Sequence, residues 1–294
     1  MTHSDTDPAV NPEPRLPVNS PGLTAGGFSD KLRVLDLFSG IGGFSLGLER
    51  TGGFETVAFC EIEPFPRRVL AKHWPEVPCY DDVRTLTADV LRRDGIAVDV
   101  ITGGFPCQDL SVAGKQRGMG EGTRSGLWSE IVRLVGELRP QYVIVENVAA
   151  LLAGPSERRG GWFGRVLGDL AECGYDAEWE NIPAAAVGLS HLRERAWFMA
   201  YPQQVKRLRP IFAGYDAAKR AWGNSAVGMQ NGLRSEVGSS VPSVFGRRVD
   251  QPGHIGVADG LSDWSHRLAA CGNAVVPQIP ELIGRAILQA RSAE

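Results

Sequence analysis

The sequence predicts an α/β fold built on a Rossmann-like, doubly wound and mostly parallel sheet. Short apolar runs recur along the chain and are separated by segments whose apolar residues have helical spacing. A glycine-rich turn follows the first of these runs, and polar side chains follow several others. Strands that alternate with helices favour a parallel sheet, in which the carboxyl ends of the strands meet at one edge and ligands bind.

The apolar runs define the predicted strands, which are Leu32–Phe38, Thr56–Cys60, Val98–Ile101, Tyr142–Val145 and Ala196–Ala200. Helical spacing predicts the connecting helices, which begin near Phe44 and at Pro64 and then cover Leu127–Leu138, Trp162–Glu172 and Gln278–Ala290. Proline suits a first helical position because it has no N–H group to leave unpaired there.

Composition indicates a soluble protein with one large core, since 43% of the 294 residues are hydrophobic and no apolar run reaches the length of a membrane span. The five cysteines are odd in number, far apart and free of any Cys-x-x-Cys pair, which argues against a disulfide framework and a structural zinc site. We therefore expect a reducing, cytoplasmic location, no metal and no membrane association. Residues 1–30 carry no secretory signal and are expected to form a disordered tail.

A change in composition after Pro202 predicts a region inserted into the catalytic domain. The periodicity gives way to Gly, Ser, Pro and basic residues, and apolar order returns near Leu268. We therefore predict a catalytic domain over residues 31–201 and 259–294, with a small insert over 202–258. Between Tyr201 and Ala258 there are eight basic residues and three acidic ones, on a chain whose net charge is −3. Such a segment is either a polyanion-binding surface or a solvated face.

The turn Ser39–Gly43, after the first strand, has the features of a cofactor site. Its glycines let a ligand approach the backbone, and the helix that follows offers free N–H groups to an anion such as a carboxylate. Dinucleotide-binding enzymes use a similar turn, and many such turns only pack a helix on a sheet. Glu61, after the second strand, either accepts hydrogen bonds from a ribose or is a solvated carboxylate. Asp82 suits the exocyclic amine of an adenine, and the neighbouring Asp81 is the alternative.

Cys107 is a candidate nucleophile. It lies between Pro106 and Gln108, just past the carboxyl end of a predicted strand, where open α/β sheets bind their ligands. Glu146 follows the next strand and would bring a carboxyl group to the same edge. A cysteine at a strand end is otherwise a small buried hydrophobic residue. The pairing with Glu146 favours covalent attack assisted by a proton donor.

Five blocks of sequence together resemble the DNA cytosine-5 methyltransferases of the compact bacterial or phage kind. In chain order they are Asp36–Gly43, Gly104–Gln108, Glu146–Val148, Arg193–Arg195 and Gly272–Pro277. The resemblance implies the fold of class I AdoMet-dependent methyltransferases, with a small inserted target-recognition region. It also implies S-adenosyl-L-methionine as cofactor and double-stranded DNA as substrate.

The resemblance implies a role for each residue that matches the family's blocks. Cys107, Glu146, Arg193 and Arg195 would be catalytic. The cofactor would be bound by Phe38, Ser39, Gly40, Ile41, Gly42 and Gly43 around its methionine part, Glu61 at the ribose, Ile62, Asp82 and Val83 at the adenine, and Pro106, Leu127, Asn273 and Ala274 around the rest. The DNA would be contacted by Gln108, Ser111, Lys115, Arg117 and Arg124.

The chemistry explains why these residue types are needed. Addition of the Cys107 thiolate to carbon 6 of cytosine breaks the aromaticity and makes carbon 5 nucleophilic, while Glu146 stabilises the ring at N3. Arg193 and Arg195 would hold the cytosine O2 and the sugar-phosphate and lower the thiol pKa from about 8.5. The alternative interpretation of the two arginines is that they are surface charges at the start of a strand. The alternative for Asn273 is a capping or turn residue. A stacked cytosine must leave the duplex first, and the glycine-rich loop Ser111–Arg124 would close over it.

The sequence departs from the family pattern at two positions. His191 replaces the usual Gln ahead of the arginines, and Ile62 replaces an aromatic residue. The insert is also short, which predicts that few bases are read. We expect a monomer that acts on DNA inside a bacterial cell, of host or phage origin, with a restriction endonuclease as a possible partner. A tRNA cytosine-5 methyltransferase and a catalytically silent DNA-binding regulator are the alternatives.

Overall fold

The computed structural model describes residues 31–105, 124–152, 161–189, 193–204, 212 and 270–292. The strands are β1 (Leu32–Leu37), β2 (Phe54–Cys60), β3 (Cys79–Tyr80), β4 (Val100–Gly104), β5 (Tyr142–Val148), β6 (Tyr175–Pro183) and β7 (Glu194–Pro202). The α-helices are α1 (Gly43–Glu49), α2 (Pro64–His73), α3 (Ala88–Arg93), α4 (Trp128–Leu138), α5 (Gly161–Glu172) and α6 (Gln278–Arg291). Short 3₁₀ turns cover Arg124–Leu127, Ala149–Leu152 and Ala184–Val187.

The seven strands form one sheet in the order β3-β2-β1-β4-β5-β7-β6. Strands β1 to β5 pair in parallel with one another, and β7 pairs antiparallel with both β5 and β6. The prediction of a mixed α/β fold with a mostly parallel sheet is therefore confirmed. In a parallel sheet the carboxyl ends of β1, β2, β4 and β5 meet at one edge, which brings the polar residues after these strands together.

Apolar side chains cover both faces of the sheet. On one face Leu35, Ile101 and Val143 pack against helices α4 and α5, with Trp128 fully buried among them. On the other face Val34, Val100 and Ile144 pack against Phe44 of α1 and Ile283 of α6. Because both faces of the sheet are covered, the central parts of these strands are mostly apolar. This is why they appear in the sequence as continuous apolar runs.

Some of the predicted boundaries lie outside the described residues. The tail 1–30 and most of the predicted insert 202–258 are among these, so the proposed domain limits stay predictions. Phe212, which is within the predicted insert, is 4% exposed and belongs to the apolar cluster on the α1 and α6 face of the sheet. None of the helices in the described ranges is long and apolar enough to cross a membrane. The same ranges hold no group of three or more His, Cys, Asp or Glu side chains placed to bind a metal.

Helix α1 packs closely against the start of α6 and the segment before it. A Cβ added to Gly47 would lie 2.2 Å from the carbonyl oxygen of Pro277 and 2.9 Å from Cβ of Pro280. Real side chains do not approach a carbonyl so closely, so position 47 requires glycine for reasons of packing.

We predict that Gly47→Ala lowers stability by about 1 to 3 kcal/mol, because the helices must separate to admit the methyl group. Thermal unfolding should show this as a fall of several degrees in Tm. Gly136→Ala, in the exposed face of α4 where a Cβ would meet nothing within 4 Å, is the matched control. It should raise stability by about 0.5 to 1 kcal/mol, since alanine has the higher helix propensity. Equal behaviour of the two variants would contradict the packing argument.

Candidate active site

The turn between β1 and α1 has left-handed backbone at three positions. Phe38, Gly40 and Gly42 have φ angles of 52°, 53° and 86°. A Cβ at Gly40 would meet nothing within 4 Å, whereas one at Gly42 would lie 2.6 Å from the indole ring of Trp74. Gly40 therefore meets a conformational requirement beside open space, and Gly42 meets both a conformational and a packing requirement. The non-glycine residue Phe38 adopts this rare conformation at a cost of order 1 kcal/mol, as residues at ligand sites often do.

Glu61 is bound to this turn and is not a solvated carboxylate. Its side chain is buried, with the residue only 8% exposed. One carboxylate oxygen accepts the backbone N–H of Gly40 at 2.8 Å, and the other accepts that of Glu63 at 2.8 Å. The carboxylate thus joins the glycine turn to the end of β2. The remaining lone pairs of its oxygens are available to the hydroxyl groups of a ligand.

Arg67 of α2 supports Glu61 from the outer side of the sheet. Its guanidinium donates to the carbonyl oxygen of Glu61 at 3.4 Å and to that of Cys79 at 3.3 Å. The backbone N–H of Glu61 also donates to the carbonyl oxygen of Tyr80 at 2.9 Å. These bonds hold the ends of β2 and β3 side by side.

The predicted adenine-binding residues lie next to this edge. Ile62 is 60% exposed and, together with Asp82, lines an open pocket beside α2. Oδ1 of Asp82 accepts the backbone N–H of Arg84 at 3.0 Å. The side chain of Val83 is buried in the core, and Leu127 packs against the same core. Val83 and Leu127 therefore belong to the wall that supports this edge of the sheet.

Asp36 is fully buried within β1 and joins three elements. Its carboxylate oxygens accept hydrogen bonds from the hydroxyls of Ser45 in α1 and Thr102 in β4, each at 2.8 Å. Its carbonyl oxygen accepts the hydroxyl of Ser39 at 2.6 Å. Burial raises the pKa of Asp36 to about 7, against the opposing effect of the two hydroxyl donors. The sequence reasoning did not assign Asp36 a role, although a polar residue inside an apolar strand was a visible signal.

Glu146 lies on β5 beside the end of β4. It pairs in register with Gly104 on one side and Trp197 on the other. A carboxylate oxygen, Oε1, is 2.9 Å from Nε of Arg195. Burial raises the pKa of Glu146, and the positive charges of Arg195 and Arg193 act in the opposite direction. A Cβ at Gly104 would lie 3.3 Å from the other carboxylate oxygen, so glycine leaves room for this side chain.

The structure brings both predicted arginines to Glu146 but gives them different partners. Arg195 forms the ion pair described above and also donates to the carbonyl oxygen of Glu194 at 2.8 Å. Arg193 donates through Nη1 to the carbonyl oxygen of Ala274 at 2.9 Å. Burial and the neighbouring charge of Arg195 lower the pKa of Arg193. Ala274 therefore lies beside the Glu146–Arg195 pair, whereas the preceding Asn273 is exposed.

Asn147 is a functional candidate that the sequence reasoning missed. It is 2% exposed, and its amide donates to the carbonyl oxygen of Phe105 at 3.1 Å. Its side-chain oxygen accepts the backbone N–H of Val148 at 2.8 Å. Phe105 directly precedes Pro106 and Cys107, so Asn147 orients the peptide that leads to the predicted nucleophile.

Several predicted site residues lie outside the described part of the chain. These are Pro106, Cys107, Gln108, Ser111, Lys115 and Arg117, and of Arg124 only the backbone is described. Their roles stay predictions. Among the described residues, the turn after β1, Glu61, Glu146, Arg193 and Arg195 lie at the carboxyl edge of the parallel strands.

Comparison with known proteins identifies the family to which this arrangement belongs. The family model for C-5 cytosine-specific DNA methylases matches residues 32–228. The chain belongs to this family. The match covers the blocks that contain the glycine turn, Cys107, Glu146 and the two arginines.

Similar proteins include Type II methyltransferases. The Type II methyltransferase M2.BsuMI of Bacillus subtilis is 35% identical over 173 residues, which are 58% of this chain and 42% of that protein. M.CviJI of Paramecium bursaria Chlorella virus IL3A is 31% identical over 74% of this chain and 56% of its own length. The chain thus spans about half the length of these relatives.

Solved structures share the fold. A candidate DNA modification methyltransferase encoded within an E. coli prophage has a TM-score of 0.51 and 28% identity, over 61% of this chain and 49% of that chain. The DNMT2 protein of Spodoptera frugiperda has a TM-score of 0.50 and 22% identity, over 61% of this chain and 52% of that chain, and shows likeness of fold alone.

We predict that Asp36→Asn weakens the pH dependence of stability. Because burial holds the pKa of Asp36 near 7 in the folded protein, against about 3.9 in an unfolded chain, folding favours the protonated form. The free energy of unfolding should therefore fall as the pH rises from about 4 to about 7 and then level off. Asparagine keeps one acceptor and cannot ionise. Urea unfolding at several pH values should therefore show that the unfolding free energy of the variant changes less with pH than that of the wild type. The pH dependence that remains in this range would come from Glu146.

Asp99→Asn is the matched control for this experiment. Against the effect of burial, hydrogen bonds from Arg33 lower the pKa of Asp99. The stabilisation from that pair is complete above the unfolded pKa and is lost only as the pH falls below about 4. The control should keep the wild-type slope between about pH 5 and about pH 7. An unchanged slope in Asp36→Asn would show that Asp36 ionises normally.

Proposed function

We propose that the protein transfers a methyl group from S-adenosyl-L-methionine to carbon 5 of an extruded cytosine in double-stranded DNA, through a covalent bond between Cys107 and carbon 6. The observation that carries this proposal is the ion pair between the buried Glu146 and the partly exposed Arg195, at the edge of the sheet where β4 leads to Cys107. Membership of the C-5 cytosine-specific DNA methylase family supports the same reaction.

The cofactor site is supported by the polar groups around the turn after β1. S-adenosyl-L-methionine supplies an electrophilic methyl group when it is bound. The open side of Gly40 admits a ligand to the backbone, and Glu61 presents a buried carboxylate next to it, suited to the hydroxyls of a ribose. Ile62 and Asp82 are close to the adenine side in this arrangement. The residues present therefore fit the cofactor.

The reaction needs electron density to move from sulfur to carbon 5. The Cys107 thiolate bonds to carbon 6, the ring electrons move to carbon 5, and ring N3 shares or takes the proton of Glu146. Carbon 5 would then bond to the methyl group, whose bond to the sulfonium sulfur breaks and leaves the cofactor as a neutral thioether. Water would remove the proton from carbon 5, and the electron pair of that C–H bond would form the C5–C6 double bond as the bond to Cys107 breaks and releases the thiolate. Return of the proton from ring N3 to Glu146 then restores both side chains to their starting states.

The environment of Glu146 is suited to that role. Burial raises its pKa, which favours the protonated form that can donate to N3. The ion pair with Arg195 limits the shift and places a guanidinium beside the carboxyl group, where it can also donate to the cytosine O2. A carboxyl group in water at neutral pH would be ionised and could not donate.

Binding of DNA is proposed for segments that follow the described elements. Gln108, Ser111, Lys115, Arg117 and Arg124 would contact the extruded nucleotide and the phosphates, and the basic insert would contact base edges. We further propose that the protein acts as a monomer on DNA in a bacterial cytoplasm, and that a restriction endonuclease shares its target sequence.

Cys107→Ser should lower methyl transfer by about a thousandfold or more while DNA binding persists, because a serine hydroxyl is scarcely ionised at neutral pH. The measurement is transfer from labelled S-adenosyl-L-methionine to duplex DNA and, in parallel, to tRNA. Cys173→Ser, at the end of α5, is the control and should keep wild-type turnover. Transfer confined to tRNA would replace the DNA proposal. Absence of transfer by the wild type, with no trapped adduct on 5-fluorocytosine DNA, would indicate a silent DNA-binding protein.

Glu61→Ala should weaken cofactor binding about 10-fold to 100-fold, because charge-assisted hydrogen bonds of about 1.5 to 3 kcal/mol are lost. Isothermal titration of S-adenosyl-L-methionine measures the effect directly, and the affinity for duplex DNA should change little. Glu63→Ala is the matched control, since Glu63 is exposed two residues away and its side chain makes no helix-capping bond. Equal affinities of the two variants would remove Glu61 from the cofactor site.

A further inference from the structure

The two arginines before and within β7 are separated by one residue and yet hold different groups. Arg195 is paired with the carboxylate of Glu146, at 2.9 Å. Arg193 donates to a neutral main-chain oxygen, that of Ala274, which is 81 residues away in the sequence. If both arginines contacted an incoming nucleotide in the same way, their surroundings in the folded protein should be similar. The structure shows different surroundings for the two side chains.

The position of Arg193 is electrostatically unfavourable for a residue that only contacts phosphates. Its side chain is half-buried and lies near the like charge of Arg195, and both effects lower the pKa of Arg193. Its Nε is buried and has no hydrogen-bond partner in the described part of the chain. A phosphate-binding arginine at a surface would stay hydrated until the DNA arrives. The contact with Ala274 gives this side chain a role within the folded protein.

Ala274 begins a segment that packs between the glycine turn and the catalytic strands. A Cβ added to Gly43, the first residue of α1, would lie 2.5 Å from the carbonyl oxygen of Val275. The side chain of Val275 is also near Gly104, at 3.9 Å from a Cβ built there. We call residues Ala274–Pro277 the C-terminal segment. It contacts α1, which follows the cofactor turn, and the end of β4, which leads to Cys107.

We propose that Arg193 is a positioning residue that holds the C-terminal segment in place and thereby couples the cofactor site to the Glu146–Arg195 pair. The hydrogen bond to Ala274 closes a path of contacts from β7 through the C-terminal segment to α1. The same guanidinium contributes a positive charge that acts on Glu146. This proposal replaces the expectation that Arg193 contacts the cytosine directly, and it rests on the proposed function for one of its two readouts.

Two assays distinguish an effect on cofactor binding from an effect on the target cytosine. Isothermal titration reports the affinity for S-adenosyl-L-methionine without DNA. Release of tritium from duplex DNA labelled at carbon 5 of cytosine, without cofactor, reports addition of Cys107 to carbon 6, because the adduct exchanges its carbon 5 proton with water. Lysine at position 193 keeps the charge but lacks the planar fork that reaches Ala274.

We expect R193K to weaken cofactor affinity tenfold or more and to slow tritium release by a smaller factor. R195K is the matched variant. It should slow tritium release tenfold or more, and its loss of affinity for S-adenosyl-L-methionine should be smaller than that of R193K. V275A, which loosens the C-terminal segment without changing either arginine, should reproduce the R193K pattern and keeps the proposal testable if R193K does not fold.

Two results would overturn the proposal. In the first, R193K slows tritium release at least as much as R195K does, and the cofactor affinity of R193K is unchanged. Arg193 would then act on the target cytosine and not on the cofactor site. The other is V275A with wild-type cofactor affinity. Failure of the proposed function is distinguishable, because the wild-type protein would then release no tritium although the affinities of R193K and V275A could still be compared.

Discussion

The removal of three carboxyl groups from water is the constraint on which this structure depends. Asp36, Glu61 and Glu146 lie on three strands or strand ends, and each residue is at most 8% exposed. A buried carboxyl group without partners is strongly destabilising, so each must be protonated, hydrogen-bonded or paired with a cation. The three residues use different solutions, and the differences fix what each can do.

Asp36 accepts two hydroxyl donors, which tolerate either protonation state because a hydroxyl can donate or accept. Glu61 accepts two backbone N–H groups, which fix its position between the glycine turn and the end of β2. Burial raises the pKa of Glu146, and the paired guanidinium of Arg195 acts in the opposite direction. Burial raises the pKa of both Asp36 and Glu146 against opposing groups, but among the three only Glu146 has a cation as the opposing partner. Such a setting suits the proton exchange that the proposed reaction assigns to Glu146. Asp36 and Glu61 are suited to holding geometry.

The parallel half of the fold was predictable because its strands are buried on both faces and are apolar at nearly every position. β6 was not predicted, since its edge position lets Asp176, Glu178 and Glu180 interrupt the apolar pattern. β3 and α3 are too short to produce a periodic signal. Among site residues, Glu61 and Glu146 were found because polar side chains end apolar strands. Asn147 was missed because the partner of its amide, Phe105, is 42 residues away in the sequence, and that pairing appears only when the chain is folded. Asp36 was missed although it interrupts an apolar strand, because its bond to Thr102 of β4 is likewise a product of folding.

The glycines show most clearly where sequence reasoning reached its limit. A glycine-rich turn after the first strand predicts close approach of a ligand, but at Gly42 and Gly43 the space beside the backbone is filled by Trp74 and Val275. Gly40 alone among these three faces open space, and it is the one whose N–H is bound by Glu61. The glycines of this turn therefore have two roles. At Gly42 and Gly43 they make room for other parts of the protein, and only at Gly40 do they leave the backbone open to a ligand. A substitution at Gly43 would displace the C-terminal segment first and change cofactor binding as a consequence, so loss of affinity there would not by itself identify a contact residue.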